Sequence, residues 1–257
     1  MRLGGWLLSE WLFNGDCLEI MPQLIDRGVK VDLILCDLPY GTTHCKWDSC
    51  IELSKMWENY KGLIKKAHAI VLFAQQPFTS QLISSNYDWY KYNWIWKKDR
   101  CPNFMMAKYV PLKETEDIVV FSDGGINTNC KNKMVYYPQG LKSFNKKVTS
   151  KVKKEGVNLY NCLSGEHIQE NTNYPKNILE FPTEKNCVHP TQKPVSLMEY
   201  LIRTYTREGD VVLDNCMGSG TTGVACKKLG RNFIGIEMDK GYFEIAKSRL
   251  LAVGGLD

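Results

Sequence analysis

Asp37, Leu38, Pro39 and Tyr40 are residues whose types and order can do chemistry on a poor nucleophile. They follow the apolar run of residues 31–35, which reads as a strand buried on both faces, and Pro39 ends it because proline has no N–H for a ladder. A carboxylate, a backbone carbonyl and an aromatic ring then stand together at the end of a central strand, where open α/β sheets bind ligands. The exocyclic amine of a base delocalises its lone pair into the heterocycle. It attacks only when acceptors grip its hydrogens and draw it towards tetrahedral geometry. Asp37 and the carbonyl of Leu38 are two such acceptors, and Tyr40 offers a face on which an extruded base stacks. The same residues also suit a strand ending in a proline turn with an Asp cap, so a second motif has to decide.

That motif lies near the other end of the chain. Residues 210–214 read as a strand, 215–223 as a glycine-rich turn, 224–229 as a helix, and 233–237 as a strand ending in Glu237. Glycines let the backbone approach a ligand, the helix start offers unpaired N–H groups, and Glu237 can accept both hydroxyls of a ribose. Gly218, Gly220 and Gly223 also satisfy the dinucleotide fingerprint. A dinucleotide domain needs further βαβ units after this turn, whereas only about twenty residues follow Glu237. A donor carrying one adenosine fits better. Two further residues stand near such ends. Asp16, after a short strand at 11–13, is a helix cap or a second ligand, and Lys193, at a helix entry that favours anions, can hold a ligand carboxylate.

The elements that must position these groups follow from hydrophobic period. A helix over about 52–66 feeding a strand at 69–74 makes a βαβ unit with the central strand, so the sheet is parallel there. Strands at 92–96 and 118–121, with little between them to form a crossover helix, predict a partly antiparallel edge. Residues 41–50, with Trp47 and Asp48, form a polar loop placed to act as a lid. From 122 to about 173 the periodicity fades, and residues 142–154 carry six lysines and no acid. Such a run is a solvated surface or, with Tyr136, Tyr137, Phe144 and Tyr160 interleaved, a phosphate and base contact.

Composition bounds the rest. The 257 residues suffice for one α/β domain with an insertion, and the net charge of +5 favours a polyanion partner without requiring one. No run approaches the roughly 18 apolar residues of a membrane span, and the first residues lack a full signal sequence. A cytoplasmic protein with reduced thiols is expected. Ten cysteines include no Cys-x-x-Cys pair, and His44, Cys45 and Cys50 lack metal-ligand spacing, so no metal is expected.

Asp37-Leu-Pro-Tyr40, a basic insertion, His189-Pro-Thr-Gln-Lys-Pro194 and Asp214-Asn-Cys-Met-Gly-Ser-Gly-Thr-Thr222, in that order, resemble the amino-methylating DNA methyltransferases of the β arrangement. Trp94–Lys97 and residues 111–121 are similar to a subgroup of adenine methylases often carried by phages and mobile elements. The resemblance implies a doubly wound, mostly parallel, seven-stranded Rossmann-like α/β sheet that uses S-adenosylmethionine. Residues 1–124 and 174–257 would form one catalytic and cofactor-binding domain, and 125–173 a target-recognition insertion. It implies that Asp37, Leu38, Pro39 and Tyr40 handle the target amine. Asp16, His189, Lys193, Asp214, Gly218, Ser219, Gly220, Thr221 and Glu237 would bind the cofactor. The basic residues Lys97, Lys98, Lys146, Lys147, Lys151, Lys153 and Lys154 would meet double-stranded DNA. Leu38 replaces the usual proline, which matters little for a residue acting through its carbonyl, and Cys216 replaces a usual aromatic. N6-adenine is implied over N4-cytosine by Asp at the first catalytic position. A homodimer and a cognate restriction endonuclease are further family expectations. A catalytically silent nucleic-acid-binding module is the alternative from another class, against which the intact Asp37, Tyr40, Gly218, Gly220 and Glu237 argue.

Overall fold

The computed structural model describes residues 2–3, 6–7, 11–41, 51–101, 103–150, 165–184 and 192–253. His189, Lys151, Lys153, Lys154, Tyr160 and the proposed lid from residue 42 onward lie outside them. The chain forms two compact units, Met1–Tyr137 with Asn177–Asp257, and Pro138–Lys176. Residues 125–137 therefore pack with the first unit.

The first unit opens with a short antiparallel pair, β1 (Arg2–Leu3) and β2 (Trp6–Leu7), and is built on an eight-stranded sheet. Its centre is β4 (Val31–Asp37), flanked by β5 (Ile64–Ala74) on one side and β11 (Val211–Asp214) on the other. Beyond β11 come β12 (Asn232–Glu237) and β3 (Leu12–Asn14); beyond β5 come β7 (Thr115–Phe121), β6 (Tyr90–Lys97) and β10 (Ile178–Glu180). All neighbours are parallel except β7, which runs antiparallel to both β5 and β6. The sheet thus has one strand more than expected. The extra strand, β10, is three residues long, too short to carry a period of its own. The antiparallel strand is also not at the edge: it is inserted between two parallel ones.

Period-2 alternation with both faces covered explains why β4 is apolar from Leu33 to Cys36. Leu33 and Leu35 join the core under α4 (Val195–Tyr205), α5 (Thr221–Lys228) and α6 (Lys240–Ala252). Ile34 and Cys36 join the opposite core under α1 (Cys17–Asp26), α2 (Leu53–Leu63) and α3 (Phe78–Ser85). Each such side chain contributes about 1.5–3 kcal/mol on burial. Helix α2 stops at Leu63, three residues before the predicted end, because Ile64 already pairs with Val31. At the amino end of β4, Asp32 is 4 % exposed; it takes Lys65 Nζ at 2.8 Å and the Val211 N–H at 3.0 Å. Burial pushes its carboxyl up, but His68, Lys65 and that N–H outweigh it and hold the carboxyl down at about 2. Asp32 is thus a tie between strands at the end of the sheet opposite Asp37.

The second unit is a hairpin of β8 (Lys142–Ser150) and β9 (Gly165–Thr172), so the lysine-rich run is partly strand. A register shift between Ser143 and Lys146 coincides with Asn145 at φ 43°, and Asn173 closes the base by donating to the Gly140 carbonyl at 2.6 Å. Lys147 pairs across the hairpin with Glu166, and Lys146 lies 5.2 Å from the Phe144 ring centre.

Candidate active site

Asp37 ends β4 and Asp214 ends β11, the adjacent strands at which the winding reverses: β11 leads to β12 on one side and β4 to β5 on the other. A doubly wound sheet opens its ligand crevice there. The antiparallel strand brings a residue that the sequence reading did not place in the site. Because β7 runs the other way, its first residues lie beside the last residues of β5 and level with the end of β4; Ala74 pairs with Asp117, and Phe73 with both Ile118 and Asp37. Glu116, 5 % exposed, is delivered to the same spot. The acid pair Glu116-Asp117 at the entry to the apolar run 118–121 was the available signal.

Five side chains meet there. The Tyr40 hydroxyl lies 2.7 Å from Asp37 Oδ1 and 2.9 Å from Glu116 Oε1. Lys193 Nζ lies 2.7 Å from Asp37 Oδ2 and 2.9 Å from Glu116 Oε1. Lys98 Nζ lies 2.7 Å from Glu116 Oε2. The Tyr40 ring stacks on Phe78, with centroids 5.4 Å apart at 30°, and Lys193 sits 5.0 Å from the centre of the Phe73 ring. Two acids and two lysines make the ionised cluster neutral, which is what makes its burial tolerable.

The carboxyls are held apart in acidity. Burial pushes Asp37 up and Glu116 adds to this, against the pull of Lys193. Glu116 is also penalised by burial, but Lys193 and Lys98 bring it down to about 2. Burial favours neutral Lys193, yet Asp37 and Glu116 outweigh it and keep the ammonium charged. Burial and the same two acids keep the Tyr40 phenol protonated. One phenolic proton faces two acceptors, of which Asp37 is the carboxyl pressed towards its neutral form and Glu116 the one held ionised. Lys193 and Lys98, expected at a cofactor carboxylate and at phosphates, instead point into this cluster. Lys97 lies outside it, 3.3 Å from Glu180.

Across the crevice, the glycine-rich turn is pinned from several sides. Asp214 accepts the Cys216 N–H at 3.1 Å and the Thr222 hydroxyl at 2.5 Å, fastening the strand end to α5. Arg249 of α6, also absent from the sequence reading, donates to the Ser219 carbonyl at 2.5 Å and reaches Thr221 Oγ1 at 3.3 Å. Gly220 caps α5 at φ 79°, and a Cβ there would meet that of Ala246 at 2.9 Å. Gly218, at φ 50°, has nothing within 4 Å of where its Cβ would be, leaving the turn open to a ligand on that flank. Its N–H donates to Glu237 Oε2 at 2.8 Å, while Oε1 accepts the Asp239 N–H at 2.8 Å. Burial pushes the Glu237 carboxyl up against these two bonds. Asp16 caps α1, accepting the Leu18 N–H at 2.8 Å.

Burial raises the Asp214 carboxyl to about 7 in spite of its hydrogen bonds, with Asp37 adding repulsion. A raised folded-state value gives stability that is present below the ordinary carboxylate range and lost as pH climbs through about 7. Asp214→Asn should flatten the fall in unfolding free energy between pH 4 and 8 by up to about 4 kcal/mol. Urea unfolding at several pH values reads this, and an unchanged slope would refute it.

The strand order, with one antiparallel strand set between parallel neighbours, and the glycine-rich crossover leading to an acid-ended strand define a Rossmann-like methyltransferase fold. The chain belongs to the N6_N4_Mtase family of DNA methylases, whose sequence profile matches residues 31–248. It is similar to the type II methyltransferase M2.DpnII of Streptococcus pneumoniae, at 58 % identity over 64 residues, which cover 25 % of this chain and only 24 % of that protein. The type II methyltransferase M.HinfI of Haemophilus influenzae is 27 % identical over 267 residues, covering 93 % of this chain and 67 % of that one. Among solved structures, the M1.HpyAVI–SAM complex superposes with a TM-score of 0.62 at 29 % identity, over 93 % of this chain and 98 % of that chain.

Proposed function

We propose that this chain transfers a methyl group from S-adenosylmethionine to the N6 amino group of adenine in duplex DNA. The observation that carries the reading is the convergence of Asp37 and Tyr40 with the open glycine-rich turn at two adjacent strand ends. Membership of the family and the likeness to a SAM-bound relative support it. The cofactor supplies a sulfonium-activated methyl group, so the protein's task is mainly positioning. Glu237 suits the ribose hydroxyls and Gly218 a close backbone approach. Ser219, Gly220 and Thr221 line the same turn, with Asp16 assigned to the adenine side. Asp214 acts by holding the turn.

The target amine donates one hydrogen to Asp37 and the other to the Leu38 carbonyl, while the Tyr40 face away from Phe78 takes the base. Asp37 is engaged by Tyr40 and Lys193 before the amine arrives. Glu116 Oε1, 2.9 Å from both donors, accepts them as Asp37 turns to the amine, so neither is left unpaired. Lys193 and Glu116 are therefore assigned as positioning residues. Once it carries the methyl group that the cofactor would supply, the amine would be cationic and acidic, and its proton would leave to Asp37 or water. No base has to act beforehand.

Adenine is preferred over cytosine on the family's use of Asp at the first catalytic position. The hairpin lysines Lys146 and Lys147, with Lys97 and the lysines beyond residue 150, are assigned to phosphates. A homodimer and a cognate endonuclease follow from the resemblance alone. Among the described residues no helix is long and apolar enough to cross a membrane. The test is incubation with unmethylated duplex DNA and S-adenosylmethionine, then digestion and mass spectrometry of the nucleosides. N6-methyladenine is expected. N4-methylcytosine would keep the reaction and overturn the base, and neither product, with measured cofactor binding, would overturn duplex DNA as the substrate.

A further inference from the structure

Between β6 and β7, residues 98–114 leave the carboxyl end of one strand and return into the amino end of the other, at the same end of the sheet as Asp37. This loop turns large apolar groups outward: Phe104 is 75 % exposed, Met105 93 % and Tyr109 79 %. Leaving each in water forgoes roughly 1.5–3 kcal/mol of burial. Such a cluster on a soluble unit marks a surface that another molecule covers.

The loop is a built structure. Asn103 ties its two arms, accepting the Lys113 N–H at 2.8 Å and donating to the Pro111 carbonyl at 3.4 Å. The Lys98 N–H donates to the Glu114 carbonyl at 2.8 Å, and successive turn bonds join Met106 to Asn103 and Tyr109 to Met106 at 2.9 Å each. Its root is the buried ionic cluster itself, since Lys98 Nζ holds Glu116, which accepts the Tyr40 hydroxyl. The loop is therefore rooted on the cluster that contains Asp37 and Tyr40.

Charge selects the occupant. Of the basic residues in 97–114, Lys97 and Lys98 are answered by Glu180 and Glu116, which leaves Arg100, Lys108 and Lys113 against Asp99 and Glu114, a net positive loop. A second copy docked face to face through the loop would set like charges together. A polyanion relieves them, and DNA offers phosphates flanking apolar base faces.

We propose that the 98–114 loop is a wedge that enters the DNA beside the target nucleotide. Phe104, Met105 and Tyr109 press into the stack, and Arg100, Lys108 and Lys113 meet the flanking phosphates. The wedge offsets the unstacking of the extruded base. It rests on the reading of the chain as a DNA methyltransferase and names the segment that opens the duplex for it.

The test is the full-length triple variant Phe104→Ser, Met105→Ser, Tyr109→Ser, whose sites are already in water and whose unfolding temperature should not fall. DNA affinity and methylation rate are measured on a paired duplex and on one with an abasic site opposite the target, where extrusion is easier. Loss of about ten-fold or more on the paired duplex, shrinking to within about three-fold on the abasic one, is expected. Unchanged affinity and rate, or equal losses on both duplexes, would overturn the wedge while leaving the activity standing. A shift from dimer to monomer with paired-duplex affinity intact would assign the loop to self-association and overturn it too. If the native chain methylates nothing, the activity reading fails separately, and the affinity comparison decides the wedge: a loss on the paired duplex that shrinks on the abasic one keeps it, and unchanged affinity or equal losses overturn it.

Discussion

Asp37→Asn should lower the rate of methyl transfer by about 10²–10³-fold or more, with cofactor affinity nearly unchanged. The amide keeps the shape of the carboxyl but loses the charge that grips the amine hydrogens, and one of its two acceptor oxygens becomes a donor. Stability should not suffer in proportion. Asp37 is partly exposed, and burial and Glu116 already press its carboxyl towards the neutral form. Groups that a fold disfavours in their working charge state are commonly functional ones. Single-turnover methylation alongside equilibrium dialysis of the cofactor checks both halves, and near-normal turnover would remove Asp37 from the chemistry.

Glu116→Gln should have two separable effects. Glu116 is pinned between Lys98 and Lys193 and held at about 2, a lowered value whose stabilisation is present above the ordinary carboxylate range and lost as pH falls through about 2. Neutralising it leaves the buried Lys193 and the half-buried Lys98 ammonium groups facing one acid, so roughly 3 kcal/mol of stability should be lost at pH 7. The second effect is on the pH profile. Glu116 raises Asp37 through like charge, and its removal should move the acid limb of the rate to lower pH even as the maximal rate falls. A second change, Lys98→Met, should restore much of the stability by restoring neutrality but should not return the limb. Were the limb to stay in place while the protein merely weakened, Glu116 would be a structural acid and no partner of Asp37.

These two residues also mark how far the site was legible beforehand. Asp37 and Tyr40 were readable because a buried strand that ends in Pro39 advertises its own carboxyl end. The turn around Gly218 and Glu237 was readable because glycine spacing and a strand-terminal acid occur within one local unit. Glu116 was not readable as a site residue. Its neighbours in sequence say only that a strand follows, and its meeting with Asp37 depends on β7 being antiparallel and on its place beside β5. Lys193 and Lys98 were read by local rules, one at a helix entry and one in a basic run, yet each found a buried acid from a distant element. Asp16 went the other way: its cap is a local interaction, and that part of the reading needed nothing distant.

The sequence by itself determined the α/β class, the parallel core around residues 31–37, the two motifs at strand ends and the family, because strand period, proline, glycine and strand-end acids act within about ten residues of chain. Only the tertiary structure decided the eighth strand, the inserted antiparallel strand and the neutral cluster of Asp37, Glu116, Lys193 and Lys98. Those depend on which strands lie side by side, and long-range pairing leaves no local mark. A buried charge finds whichever opposite charge the fold brings within reach.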